Sequence, residues 1–263
     1  IANEAAERFS FYGMRALLVL YLTAPLVADD RYGPGLGLDK GTSIAIYGAY
    51  SGLVYLTPIA GGWIADRLIG PRSTVLYGGI VIALGHYCMA VPVDATFWVG
   101  LLLIALGTGL LKPNISAMVG DLYSETDTRR DAGFSIFYMG INIGSFAAPL
   151  VTGWAAQQRG FHWGFAIAGI GMTFAVIWYA IGWKRLQGIG DHAPDPATVH
   201  ERNRFFVLLA AVVVFIFGFA ALLGLVTDWP FFDRVATTIT IFILIVPFVY
   251  FFQLFRRKDY TPR

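Results

Sequence analysis

The sequence predicts an all-α, polytopic membrane helix bundle, and three observations carry that prediction. First, apolar runs long enough to cross a bilayer recur along the whole chain, so this is not a soluble core with one anchor. Second, 57% of the 263 residues are hydrophobic and 14% are charged, against roughly 25% charged in soluble domains. Third, the first apolar helix opens with charges: Glu4, Glu7 and Arg8, followed by Tyr12 and Arg15. These positions share one helical face. Charge inside such a segment is costly unless it pairs or lines a wet cavity, so a stripe of it points to function.

Eight spans are expected, near residues 5–28, 43–65, 73–92, 95–118, 133–155, 163–183, 204–227 and 235–256. Each is about 20 residues, enough for ~30 Å of hydrocarbon at a rise of ~1.5 Å per residue. The breaks between them, at 29–41, 66–72, 92–95, 121–132, 157–162, 186–202 and 228–234, gather turn-formers and charge. The link 187–203 is the longest polar one and carries Pro and Asp. It is expected to divide a six-helix unit, 1–186, from a two-helix hairpin in 204–263. A three-plus-three inverted repeat within the first six helices is compatible with this order but is not visible as sequence identity.

Lys/Arg bias sets the orientation. With the N-terminus inside, the inner loops hold Arg67, Arg72, Arg129, Arg130, Lys184, Arg185, Arg202, Arg204, Arg256, Arg257, Lys258 and Arg263. The outer loops hold Arg31, Lys40, Arg159 and Arg234. Twelve against four places the N-terminus in the cytoplasm. The chain starts inside a charged motif without an initiating Met, and reads as a piece of something longer.

Several classes are excluded or unsupported. A net charge of +2, with no basic stretch alternating with aromatics, gives no case for nucleic acid. One cysteine, Cys88, allows no intramolecular disulfide and no cysteine metal site. The histidines, His86, His162, His192 and His200, have no metal-ligand spacing. No nucleophile elbow, phosphate loop or zinc helix motif is present, and no enzyme activity or cofactor is expected. The glycine-rich stretch before Lys40 reads as a flexible outer loop.

Three further features stand out. In the loop GGWIADRLIGPRST, Gly61 and Gly62 suit close helix approach, and Asp66 can pair with Arg67, Arg72 or a helix terminus. Lys112 interrupts an apolar helix between Leu111 and Pro113, and either snorkels or faces a cavity and meets a carboxylate. Asn142 lies mid-span between Gly140 and Gly144, where a buried amide must find a partner and helix–helix glue is the plain reading. Tyr12 and Tyr55 are candidate hydroxyl ligands; Tyr47 and Tyr50 are weaker ones, and packing or an interfacial position is the alternative.

Together these segments resemble a known family. EAAERFSFYGMR looks like the ExxER motif of proton-coupled oligopeptide transporters, within the major facilitator superfamily. GGWIADRLIGPRSTVLYGG resembles that family's first signature and FSIFYMGINIGSF its second, while GTGLLKPNIS fits its fourth helix. The motifs cover residues 4–146 in family order; the remainder agrees in hydropathy only. The resemblance implies one six-helix half of a twelve-helix carrier plus an inserted helix pair. It implies import of di- and tripeptides by proton symport at a bacterial inner membrane, driven by the proton gradient with no cofactor, with a C-terminal half as partner.

The resemblance also assigns roles. Glu4, Glu7, Arg8 and Lys112 would couple the proton. Arg8, Tyr12, Arg15, Tyr55, Lys112 and Asn142 would bind substrate, while Asp66, Arg67 and Arg72 would form a conformational latch. Phe11 departs from the tyrosine often found there, and Gly48 stands where animal members carry a histidine. No unpaired mid-membrane acid is left for a peptide amino group, so the other half would supply it. Another cargo on the same fold, such as nitrate or an amino acid, and a membrane-embedded enzyme or assembly subunit are the alternatives.

Overall fold

The computed structural model describes residues 2–27, 32–124 and 126–256. Arg31, Arg257, Lys258 and Arg263, which contribute to the loop charge asymmetry, lie outside the described residues. Helix occupies 82% of the described residues, which contain no strand. The elements run α1 (Ala2–Thr23), α2 (Lys40–Ile64), a π turn (Ala65–Ile69), α3 (Pro71–Ala90), α4 (Asp94–Asp121), α5 (Arg130–Arg159) and α6 (Phe161–Ile181). After a 3₁₀ turn (Trp183–Leu186) come α7 (Val199–Leu223) and α8 (Phe231–Arg256).

Among the described residues, seven helices are long and apolar enough to cross a membrane. The eighth, α1, is not among them. Its Glu4, Glu7, Arg8 and Arg15 dilute its hydropathy, and the fold compensates by burying the first three inside the bundle. α1 also stops at Thr23, short of the expected residue 28. Pro25 has no N–H to donate and disfavours a helical Ala24. The following loop folds back, and Leu36 N–H and Leu38 N–H donate to the helix-end carbonyls of Tyr21 and Leu22.

The six-helix unit packs with an internal correspondence. α1 lies on α5 as α4 lies on α2, α3 lies on α4 as α6 lies on α1, and α3 meets α6. Shifting each helix by three reproduces these contacts, which is the packing that a three-plus-three repeat produces. The α3–α4 seam depends on missing side chains. Gly78 faces the Gly107 carbonyl, and Gly85 faces the Gly100 carbonyl; a Cβ at either would come 2.8 Å from that oxygen. Gly61 packs in the same way against the backbone of Gly109 and Leu110, but Gly62 faces open space and makes no such approach.

α8 docks on α2, where Gly52 receives the Ile243 side chain, and α7 leans on α8. Trp63 of α2 stacks on Phe205 at 3.9 Å, and Trp98 of α4 stacks on Phe232 at 4.6 Å. α7 begins at Val199, inside the stretch expected to be linker. Thr198 forms a capping box with Glu201 and so starts the helix early.

Candidate functional site

Arg8 lies at the centre of the site. Its Nε donates to Glu4 Oε1 at 2.7 Å, one helical turn away, and lies 2.8 Å from Glu7 Oε2. All three residues are buried, Glu4 and Glu7 at 1% exposure and Arg8 at 7%. Ion pairs this deep are stable only while both signs are present. Among the described residues the Arg8 bonds run through Nε, so its two Nη groups keep their donor capacity. Both oxygens of Glu7, and Oε2 of Glu4, are buried without a hydrogen bond. The cluster therefore holds one cation between two acids and leaves acceptor and donor capacity unused.

Lys112 projects from α4 toward this cluster. It is partly buried and within electrostatic reach of Glu7, Glu4, Arg8 and Arg15. Its Nζ lies 4.8 Å from the centre of the Tyr55 ring, a cation–π contact between α4 and α2. Tyr55 is otherwise 69% exposed. Arg15, about two turns beyond Arg8 on α1, donates through Nε to the Tyr47 hydroxyl, and its guanidinium lies 5.2 Å from the Tyr47 ring centre. Tyr12 meets Phe11 edge-on at 5.3 Å, and Tyr50 is buried at 3% exposure. α1, α2 and α4 thus bring the buried Glu4, Glu7 and Arg8 near Arg15, Lys112, Tyr47 and Tyr55 in one charged, aromatic-walled cluster.

Asn142 does not join that cluster through any hydrogen bond among the described residues, and it is exposed rather than buried. The reason is helical phase. Gly144 is the residue of α5 pressed against the Ala5 carbonyl of α1, and two residues back is the opposite face. The helix–helix amide is instead Asn114, which the sequence reading passed over. It is buried at 4%, and its Nδ2 donates to Leu110 O at 2.6 Å and Gly61 O at 3.3 Å, joining α4 to α2.

The expected latch is arranged differently. Asp66 is exposed and makes no side-chain pair with Arg67 or Arg72, because the π turn carries it outward. Its backbone carbonyl accepts from Asp195 N–H at 3.0 Å. The arginines pair with acids of the link after α6. Arg67 bonds Asp195 and, at 2.6 Å, Glu201; Arg72 meets Asp191 at 2.5 Å and lies 4.2 Å from the Trp183 ring centre. The other titratable candidates are structural. His86 is buried and shares a 2.5 Å hydrogen bond with Ser10, joining α3 to α1, and His162 Nδ1 lies 2.9 Å from Met89 O.

The POT family model matches residues 72–216. A di-/tripeptide transporter of Lactococcus lactis subsp. lactis is 46% identical over 97% of this chain and 51% of its own length. A crystal structure of a peptide transporter POT in complex with sulfate superposes with a TM-score of 0.86 at 42% identity, over 99% of this chain and 52% of that one. A POT family transporter in complex with 5-aminolevulinic acid superposes with a TM-score of 0.88 at 35% identity, over 99% of this chain and 53% of that one. The chain spans about half the length of the curated relatives it matches.

Proposed function

The chain belongs to the POT family of multi-pass membrane proteins, and on that premise we propose that it forms one half of a proton-coupled importer of di- and tripeptides. The observation that carries the reading is Arg8 held through Nε between Glu4 and Glu7, with its Nη groups uncommitted. Protonating one glutamate removes half of the opposing charge and releases the guanidinium toward another anion. A peptide carboxylate is such an anion, and Arg15 and Lys112 add positive charge to the same cluster. Tyr12, Tyr55 and Asn142 are assigned to the peptide backbone, Asn142 from the exposed face of α5. Glu4 and Glu7 carry the proton, and Lys112 senses which of them is charged.

Transport itself proceeds by alternating access, with this six-helix unit rocking against a second half around a midplane site. The second half supplies the acid for the peptide amino group. The N-terminus lies on the cytoplasmic side of a bacterial inner membrane, which the loop charges support. No cofactor takes part; the proton gradient drives the cycle. A carboxylate-bearing amino acid is the second cargo to consider, since a 35% identical relative is described with 5-aminolevulinic acid.

The test is uptake of labelled dialanine by the full-length transporter in liposomes under an imposed pH gradient. Glu7→Gln and Lys112→Ala should abolish gradient-driven accumulation while counterflow exchange persists. Normal accumulation by both variants would contradict the assigned roles. Competition by 5-aminolevulinic acid but not by dipeptides would favour the second cargo.

A further inference from the structure

We propose that residues 187–198 form a cytoplasmic strap, clasped to the α2–α3 turn, that fixes α7 and α8 onto the six-helix unit. Neither membership of the family nor peptide transport requires such a strap; it rests on a separate set of contacts.

The strap is held at three levels. Its backbone pairs with the turn: Gly190 O accepts from Arg72 N–H at 3.0 Å, while Asp195 N–H and Ala197 N–H donate to Asp66 O at 3.0 Å and Arg67 O at 2.9 Å. Its acids neutralise the two arginines of the turn, Asp191 on Arg72 and Asp195 on Arg67. Glu201 then joins Arg67 to the first turn of α7, so this clasp continues into the helix that it anchors.

The third level is steric. Gly70 and Gly190 both adopt positive φ, 82° and 64°, and lie against one another's segments. A Cβ on Gly70 would come 2.9 Å from Gly190 O, and one on Gly190 would come 3.1 Å from Arg72 N. Side chains at these points would strain the backbone and push the strap off the turn. The nodes differ in strength. Arg72 is the better shielded, at 13% side-chain exposure with Asp191 at 22%, and it also donates to Leu186 O at 3.2 Å. Asp195 is 74% exposed, so its pair with Arg67 is the weaker.

The strap explains why Arg67 and Arg72 leave Asp66 unpaired. It also gives α7 a fixed origin although, among its described residues, that helix buries only Ala220. A hairpin so lightly packed needs a tether at its entry to keep α8 seated on α2.

The experiment places spin labels at Asp121 and Asn203 of the full-length transporter, with other cysteines including Cys88 replaced, and reads the distance distribution. The unaltered strap should give one narrow distribution. Gly190→Val, and separately Arg72→Glu, should broaden it by roughly twofold, a local opening rather than global unfolding. The charge swap Arg72→Glu with Asp191→Arg should restore the narrow width while leaving the Gly190→Val distribution broad. An unchanged width in both single variants overturns the strap. Broadening by Gly190→Val alone, or a swap that fails to restore the width in a variant that still elutes as a folded monodisperse protein, overturns the ion-pair clasp.

Discussion

Arg8→Met is the perturbation that isolates the buried charge cluster from packing. The replacement keeps much of the aliphatic length and removes the cation. Two carboxylates at 1% exposure then lose the partner that lies 2.7 and 2.8 Å away. Breaking a buried pair by removing one member costs about 3–5 kcal/mol, because the remaining charge is left uncompensated. Lys112 is in electrostatic reach of both acids but makes no ion pair with them within 4.0 Å, so it offsets only part of this. The expected loss is therefore about 3 kcal/mol or more, roughly a hundredfold or greater in the folded-to-unfolded ratio.

The matching control is the triple variant Glu4→Gln, Arg8→Met, Glu7→Gln. Replacing a whole buried cluster by neutral groups of similar size is often close to neutral, so the triple should return to within about 1 kcal/mol of the parent. Reversible unfolding of the full-length transporter in bicelles reads both. Parent-like stability in Arg8→Met, or a triple variant as unstable as the single one, would refute the buried-pair account. Uptake should be lost in both, so the stability comparison is independent of transport.

Two other outcomes follow from the geometry. Gly78→Val should cost about 1–3 kcal/mol or misassemble the bundle, because the new side chain meets Gly107 O and the Leu111 backbone; thermal stability in detergent checks it. Asp127, in the α4–α5 loop, is held below the usual carboxylate range by the Arg129 side chain and then by its backbone N–H. A depressed pKa contributes order above the ordinary carboxylate range and loses it as pH falls through the lowered value. Amide exchange at Arg129 should therefore become less protected below that range, after correction for intrinsic exchange rates, and Asp127→Asn should show little pH dependence.

The helices and the Glu4–Arg8 pair were legible because both are local. Apolar runs measure the bilayer, and an acid four residues before an arginine faces it on any helix. What the sequence hid depends on partners far along the chain. Spacing alone lets Asp66 pair with Arg67, Arg72 or a helix terminus, yet Asp191 and Asp195 fold back from more than a hundred residues away and take the two arginines. The apolar neighbours of Asn142 leave helix–helix glue open, and only its helical phase relative to Gly144, which turns it outward, removes that alternative. Asn114 went unremarked because an amide beside Lys112 and Pro113 carries no signature until α2 is packed against α4. The end of α1 was legible and missed, since Pro25 marks it.

The central claim is that a proton on the Glu4–Glu7 pair and a carboxylate on Arg8 belong to one exchange. Its most direct test is the proton balance when dialanine binds to the purified full-length transporter in weakly buffered detergent solution. The account predicts net proton uptake on binding, largely lost in Glu7→Gln even at peptide concentrations that restore occupancy. Dialanine binding to the unmodified transporter with no proton taken up at any pH across the range where it transports would contradict it.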